Sequence, residues 1–91
     1  MPAATDPEVD DVLDLQRAAP QDYWAQIMDR VRRLDGRRDT WRLSVRVADT
    51  PEAAQELPYV LGQLTVVGLE HEVTRDGETA GAQTITLTRR R

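Results

Sequence analysis

The residue types that usually perform nucleophilic catalysis are nearly absent from this 91-residue sequence. It contains no cysteine and a single histidine, His71, and its single serine is Ser44. A catalytic triad needs a nucleophile, a base and an orienting group in hydrogen-bond contact. Ser44 is flanked by two arginines and is far from His71 in the sequence. We therefore predict that the protein is not an enzyme and has no catalytic residue.

Metal and cofactor sites are also not expected. A stable zinc site usually needs four nitrogen, sulfur or oxygen ligands, and the chain offers neither cysteine nor a second histidine. Carboxylate pairs such as Glu70 and Glu72 are predicted on solvent-exposed faces, whereas catalytic pairs lie in clefts that perturb their pKa values. The glycines are scattered and form no phosphate-binding loop. The prediction is therefore no metal and no cofactor.

His71 is the one residue whose side chain could respond to pH near neutrality. The predicted strand around it places His71 on the same face as Leu69 and Val73, which are expected to face the core. The main interpretation is a buried, hydrogen-bonded histidine. The alternative is contact with a ligand or a pH-sensing role.

The arginines are concentrated in one segment. The stretch "RRLDGRRDTWRLSVR", residues 32–46, holds six of the twelve arginines in a chain whose net charge is −4. Arginine suits protein interfaces because its planar guanidinium donates several hydrogen bonds at once. The acidic N-terminal part supplies a complementary charge, within the chain or in a second copy. The predicted partner-binding residues are Arg37, Arg38, Arg42, Arg46, Asp10, Asp11 and Asp14.

Two other interpretations of these arginines stay open. A basic surface could contact the phosphates of a nucleic acid. However, the strand face that carries Arg42 and Arg46 has no aromatic residue on which bases could stack, and the chain is acidic overall. The arginines could also form only a solvated face. We rank nucleic acid below a protein partner.

Periodicity predicts the order of the elements. Asp6-Pro7-Glu8 is typical of a helix start, and a second helix is predicted in "QDYWAQIMDRVRRL". "TWRLSVRVA" alternates as a strand, and a third helix follows with Thr50 as its cap and a kink or break at Pro58. "LEHEVTR" and "AQTITLT" predict two further strands, joined by the turn "DGETAG".

This order predicts an α+β fold. Two N-terminal helices are followed by a β-α-β-β unit that forms a three-stranded sheet, a split βαβ arrangement equivalent to half of a ferredoxin-like fold. The last strand is expected between the other two, which leaves two edges open for a homodimer. The expected divisions are a flexible N-terminus at 1–5 and a single domain at 6–91, with 6–35 helical and 40–88 forming the β-α-β-β part. The expected core is Trp41, Leu43, Val45, Val47, Leu57 and Leu61.

The segment "VRVADTPEAAQELPYVLGQLTVVGLEHEV" resembles the opening strand–helix–strand of ACT-type regulatory domains. Those domains also place an Asp and a Pro at the start of the helix and a Gly before the next strand. The resemblance implies a small-ligand sensor as a further alternative function.

Composition suggests the cellular setting. The absence of cysteine fits a reducing compartment, no stretch reaches the roughly 20 apolar residues of a membrane span, and the N-terminus lacks the pattern of a signal peptide. Twelve basic residues that are all arginine suggest a high-GC bacterium or phage. The sequence thus predicts a small cytoplasmic protein-interaction or regulatory module that associates with itself, with no membrane contact. Nucleic-acid binding is the alternative.

Overall fold

The computed structural model describes residues 9–75 and 82–90. Within these ranges the chain forms four strands and two α-helices, with a short 3-10 turn at Pro20–Asp22. In chain order they are β1 (Asp11–Asp14), α1 (Tyr23–Asp35), β2 (Trp41–Ala48), α2 (Pro51–Val66), β3 (Glu70–Arg75) and β4 (Ala82–Arg89). The predicted flexible segment 1–5 and the predicted turn 76–81 lie outside the described residues.

The strands form one mixed sheet in the order β1-β2-β4-β3. β1 runs parallel to β2, and β4 runs antiparallel to both of its neighbours. The register places Val45 opposite Leu13 on one side and opposite Ile85 on the other. The prediction that the last strand inserts between the two earlier strands of the β-α-β-β unit is confirmed.

The predicted first helix is wrong, because this part of the chain forms β1. Asp10 donates its backbone N–H to the carbonyl of Arg42 over 2.8 Å, and Leu15 donates to Arg46 over 2.7 Å. Leu13 and Leu15 are both buried. The fold is α+β, but the prediction of two N-terminal helices before a three-stranded sheet is wrong. The N-terminal part is a strand followed by a helix, and this strand makes the sheet four-stranded. β2 is therefore an interior strand and not the edge that was predicted.

The same finding limits the resemblance to ACT-type domains. A second helix and a fourth strand would follow the hairpin in such a domain. Here β1 and α1 precede β2 in the chain, and β1 lies beside β2 in parallel. The similarity is therefore confined to β2, α2 and β3.

The helix α1 packs with one face on the sheet. Its buried residues recur at helical spacing, and Trp24 and Met28 are partly buried beside them. Gly36 caps its C-terminus and donates its N–H to the carbonyl of Arg32 over 3.1 Å. The predicted helix is confirmed, with the buried set Tyr23, Ile27, Val31 and Leu34.

The helix α2 begins directly after its predicted cap, Thr50. The Thr50 side chain accepts a hydrogen bond from the N–H of Ala53, and α2 continues through Pro58, so a break there is wrong. Gly68 ends the segment with a φ of 81°, a left-handed conformation that glycine adopts without steric cost. This turn lets Leu69 donate its N–H to the carbonyl of Leu64 over 3.0 Å.

The core lies between the helices and one face of the sheet. The helix-facing side chains of β2 and β4 are buried, whereas Arg42, Ser44 and Arg46 lie half-buried on the opposite face. Leu61 is only partly buried, because Val60 and Leu64 point into the core in its place. The rest of the predicted core is confirmed, namely Trp41, Leu43, Val45, Val47 and Leu57. Within the described part of the chain, no helix has the length and apolar content needed to cross a membrane.

Candidate protein-interaction surfaces

The serine and the histidine lie on opposite faces of the sheet. Ser44 is opposite Thr86 on the face without helices, whereas His71 is opposite the buried Leu87 on the helix-facing side. β4 runs between the strands that carry them. Their side chains therefore cannot form a nucleophile–base pair. Among the described residues, no group of three or more His, Asp or Glu could hold a metal ion.

His71 is half-buried near the free edge of the sheet. Its Nδ1 atom is 3.3 Å from the carbonyl oxygen of Leu69, two residues earlier in the chain. This contact places one ring nitrogen of His71 beside a backbone carbonyl of its own strand. The alternative role, contact with a ligand, stays a prediction.

The acidic N-terminal segment lies against arginines of the same chain. Asp10 pairs with Arg38, and its second carboxylate oxygen accepts the backbone N–H of Arg42 over 2.8 Å. Asp11 accepts a hydrogen bond of 2.6 Å from Arg30 of α1. The fold thus brings Asp10 to a predicted arginine, whereas the partner of Asp11 is one that the sequence analysis did not consider.

Asp14 and Arg46 also lie side by side on adjacent strands. They are partners in the parallel register of β1 and β2. The pKa of Asp14 is lowered from its ordinary value, chiefly by the hydrogen bond from the backbone N–H of Gln16 and less strongly by Arg46 and Arg17. Water screens the charges of such exposed side chains, so they bias local geometry more than they stabilise the fold.

The register of β4 brings further arginines to the same end of the molecule. Arg89 is opposite Trp41, which begins β2, so the C-terminal end of β4 lies beside the loop that carries the predicted arginines. We call this end the arginine pole and define it as Arg37, Arg38, Arg42, Arg89 and Arg90. Arg89 and Arg90 were not predicted at this surface, because only the strand register places them there.

Most cations of the arginine pole have acidic neighbours. Arg89 binds the carboxylate of Asp35 through Nε and Nη2, at 3.2 and 2.9 Å, and Arg90 pairs with Glu70 at 3.3 Å. Arg38 pairs with Asp10, as described above. Arg37 and Arg42 form no ion pair with another described residue. The pole therefore presents less free charge than its number of arginines indicates.

Among the described residues, the edge strand β3 is paired on one side only, with β4. On its helix-facing side, Val73 is opposite the fully buried Ile85. Val73 is nevertheless 38% exposed, so α2 leaves this end of the strand uncovered. Unpaired N–H and C=O groups next to an exposed apolar side chain are typical of a strand that can pair with another chain.

The opposite edge, β1, is less suited to pairing. It has four residues, and two of them are aspartates. Short length is a feature that keeps edge strands from pairing. β3 is longer, with six residues, so it is the better candidate for a partner strand.

The exposed surface of the C-terminal part of α2 is uncharged. The stretch 57–69 contains no charged residue in a chain in which 31% of residues are charged. Tyr59, Val66 and Val67 are large apolar residues that are exposed there. Val66 and Val67 close the helix just before β3 begins, so the apolar surface continues toward the free edge.

No family model matches the chain, and no curated protein or solved structure matches it either.

Proposed function

We propose that this chain is a non-catalytic protein-interaction module that associates with itself through the free edge of β3. The observation that carries the proposal is the exposure of Val73 on an edge strand whose outer backbone groups pair with no strand in residues 9–75 and 82–90. Strand addition uses these backbone groups for affinity and the alternating side chains for specificity. The separation of Ser44 and His71 by the sheet supports a non-catalytic role.

The predicted arginine and aspartate surface takes a secondary part in this proposal. Asp10 and Asp11 already contact arginines of their own chain. Breaking those pairs to contact a second copy would return little free energy, because one exposed pair replaces another. Arg37 and Arg42 remain available to a partner at the arginine pole.

A lysine at Val73 tests the proposed edge. We expect Val73→Lys to convert a self-associating protein into a monomer, because a charge on the helix-facing side of an edge strand opposes strand pairing. Sedimentation velocity at micromolar concentrations measures the mass of each variant. Val12→Lys is the matched control, since Val12 is an exposed valine on the other edge strand. A wild-type protein that stays monomeric across a wide concentration range would contradict the proposal.

Nucleic-acid binding is the second candidate, and the gathering of Arg89 and Arg90 at the arginine pole is the observation that favours it. We rank it lower because three of the five arginines there are paired with acids.

We expect no binding of generic duplex DNA or RNA tighter than about 10⁻⁶ M at physiological salt. Fluorescence anisotropy across a salt series measures this affinity. The control is the double variant Arg37→Glu, Arg42→Glu, which removes the arginines without an ion pair. Tight binding that weakens steeply with salt and is lost in the double variant would reverse the ranking.

A further inference from the structure

The side chains of β3 select one way for two copies to pair. In an antiparallel pair, residues directly opposite each other have side chains on the same face of the sheet. A two-fold axis perpendicular to the sheet keeps the helix-facing sides of both copies on one face of the joined sheet. Each such arrangement is then defined by the residue of β3 that lies on the axis and faces itself. β3 reads Glu-His-Glu-Val-Thr-Arg, and the charges at positions 70 and 72 make these arrangements unequal.

Two of the arrangements bring glutamates together. With Glu72 on the axis, Glu72 would face Glu72 of the second copy. With His71 on the axis, Glu70 would face Glu72 twice. Like charges directly opposite each other destabilise a strand pair. With Thr74 on the axis, only residues 73–75 of β3 would be paired, and Val73 would face position 75 and not a second apolar side chain.

The arrangement centred on Val73 pairs residues 71–75 of β3 and places no glutamate opposite another glutamate. Glu72 then faces Thr74 of the second copy, His71 faces position 75, and the two Val73 side chains face each other. Both valines lie on the helix-facing side, where each is exposed in the single chain. The pairing would therefore remove apolar surface from water and leave Glu72 on the open face opposite a neutral residue.

We infer that two copies form a closed dimer in which the β3 strands pair antiparallel with Val73 on the two-fold axis, giving one continuous eight-stranded sheet. This inference rests on the proposed self-association and adds its partner and register. Repulsion between the glutamates of β3 disfavours the registers centred on His71 and Glu72. The same charges disfavour unspecific pairing of this edge with other strands. The contact is isologous, so it closes at two copies and does not propagate into a fibre.

Single cysteines test the register, because the native chain has no cysteine. Val73→Cys, Glu72→Cys and Thr74→Cys are prepared separately and oxidised at a concentration at which the wild-type protein is associated. Cysteines directly opposite each other in a strand pair have Cα atoms about 4.5–5.5 Å apart, within disulfide range. A mismatch of two residues adds roughly 7 Å along the strand and puts the Cα atoms beyond the roughly 7 Å limit for a disulfide.

We expect most of the Val73→Cys protein to become a covalent dimer, while Glu72→Cys and Thr74→Cys alone stay largely uncrosslinked. An equal mixture of Glu72→Cys and Thr74→Cys should form the mixed dimer, because position 72 faces position 74. Non-reducing electrophoresis followed by mass spectrometry identifies each product. Circular dichroism of the reduced proteins checks that each exposed-site variant is folded.

The possible failures are distinguishable. If the wild-type protein associates but Glu72→Cys crosslinks with itself and Val73→Cys does not, the inferred register is overturned and the proposed self-association stands. If no β3 cysteine crosslinks although the wild-type protein associates, the edge is not the interface. If the wild-type protein is a monomer, the proposed function and the dimer fail together.

Discussion

Replacing Leu64 by alanine is expected to lower the free energy of unfolding by about 2–5 kcal/mol. Leu64 is fully buried on the sheet-facing side of α2, and its carbonyl also accepts the hydrogen bond from Leu69 that closes the helix. Removing its side chain leaves a cavity between the helix and the sheet, where neighbouring groups relax only in part. Urea unfolding followed by circular dichroism gives the change in the midpoint, with an unchanged slope expected.

Leu61→Ala is the matched control on the same helix. Leu61 is only partly buried, so its replacement removes fewer contacts and opens a smaller cavity. We expect its cost to be clearly lower than that of Leu64→Ala. If the two variants lost the same free energy of unfolding, α2 would have to be rotated relative to the sheet by about one residue position.

The sequence periodicity of α2 does not determine which of its faces is buried. Residues 53 and 54 are both alanine, and positions 60 and 61 are Val and Leu, so two helical stripes displaced by one residue fit equally well. Leu61 was expected in the core, whereas Ala53 and Val60 are buried. Only the packing of the helix on the sheet distinguishes the two stripes.

The N-terminal strand shows a different limit. Acids around a proline predicted the start of a helix, yet the residues that follow form β1. Leu13 and Leu15 are buried, with Asp14 exposed between them, which is the alternation of a strand. That signal was present but covers only three residues. The pairing of β1 with β2, which lies about thirty residues later in the chain, outweighs the local preference.

The surfaces were predictable to different extents. The free edge of β3 followed from the order of the last two strands and was identified as one of two expected edges. The arginine pole was identified only in part, because Arg89 reaches it through the register of β4 on β2. The contact between Asp11 and Arg30 joins a strand and a helix that the sequence did not relate. Contacts of this kind depend on tertiary geometry and leave no local pattern.

The carboxylate of Asp35 joins three elements at the arginine pole. It lies at the end of α1 and accepts a hydrogen bond of 2.8 Å from Nε1 of Trp41, which begins β2. It also binds Arg89 at the end of β4 through two further hydrogen bonds. Trp41 is 3% exposed, and the guanidinium of Arg89 lies 6.0 Å from the centre of its ring. The Asp35 carboxylate thus accepts the hydrogen bond of the buried Trp41 indole and also neutralises the charge of Arg89.

We expect Asp35→Ala to lower the free energy of unfolding by about 1.5–3 kcal/mol. The variant leaves the N–H of Trp41 without its acceptor in a nearly water-free position, and this desolvation cost is the larger part of the loss. The ion pair with Arg89 adds less, because both side chains keep about a quarter of their surface exposed, 28% and 23%, and water screens the pair. Urea unfolding monitored by tryptophan fluorescence measures the change.

Asp29→Ala separates this effect from the simple loss of a negative charge. Asp29 lies on the same helix and pairs with Arg33, but both side chains are more than half exposed. Its loss should change the free energy of unfolding by no more than about 0.5 kcal/mol. Asp35→Asn should fall between the two, since the amide oxygen can still accept the hydrogen bond from Trp41 while the charge opposite Arg89 is gone. Equal losses for Asp35→Ala and Asp29→Ala would show that the contact with Trp41 does not hold α1 to the sheet.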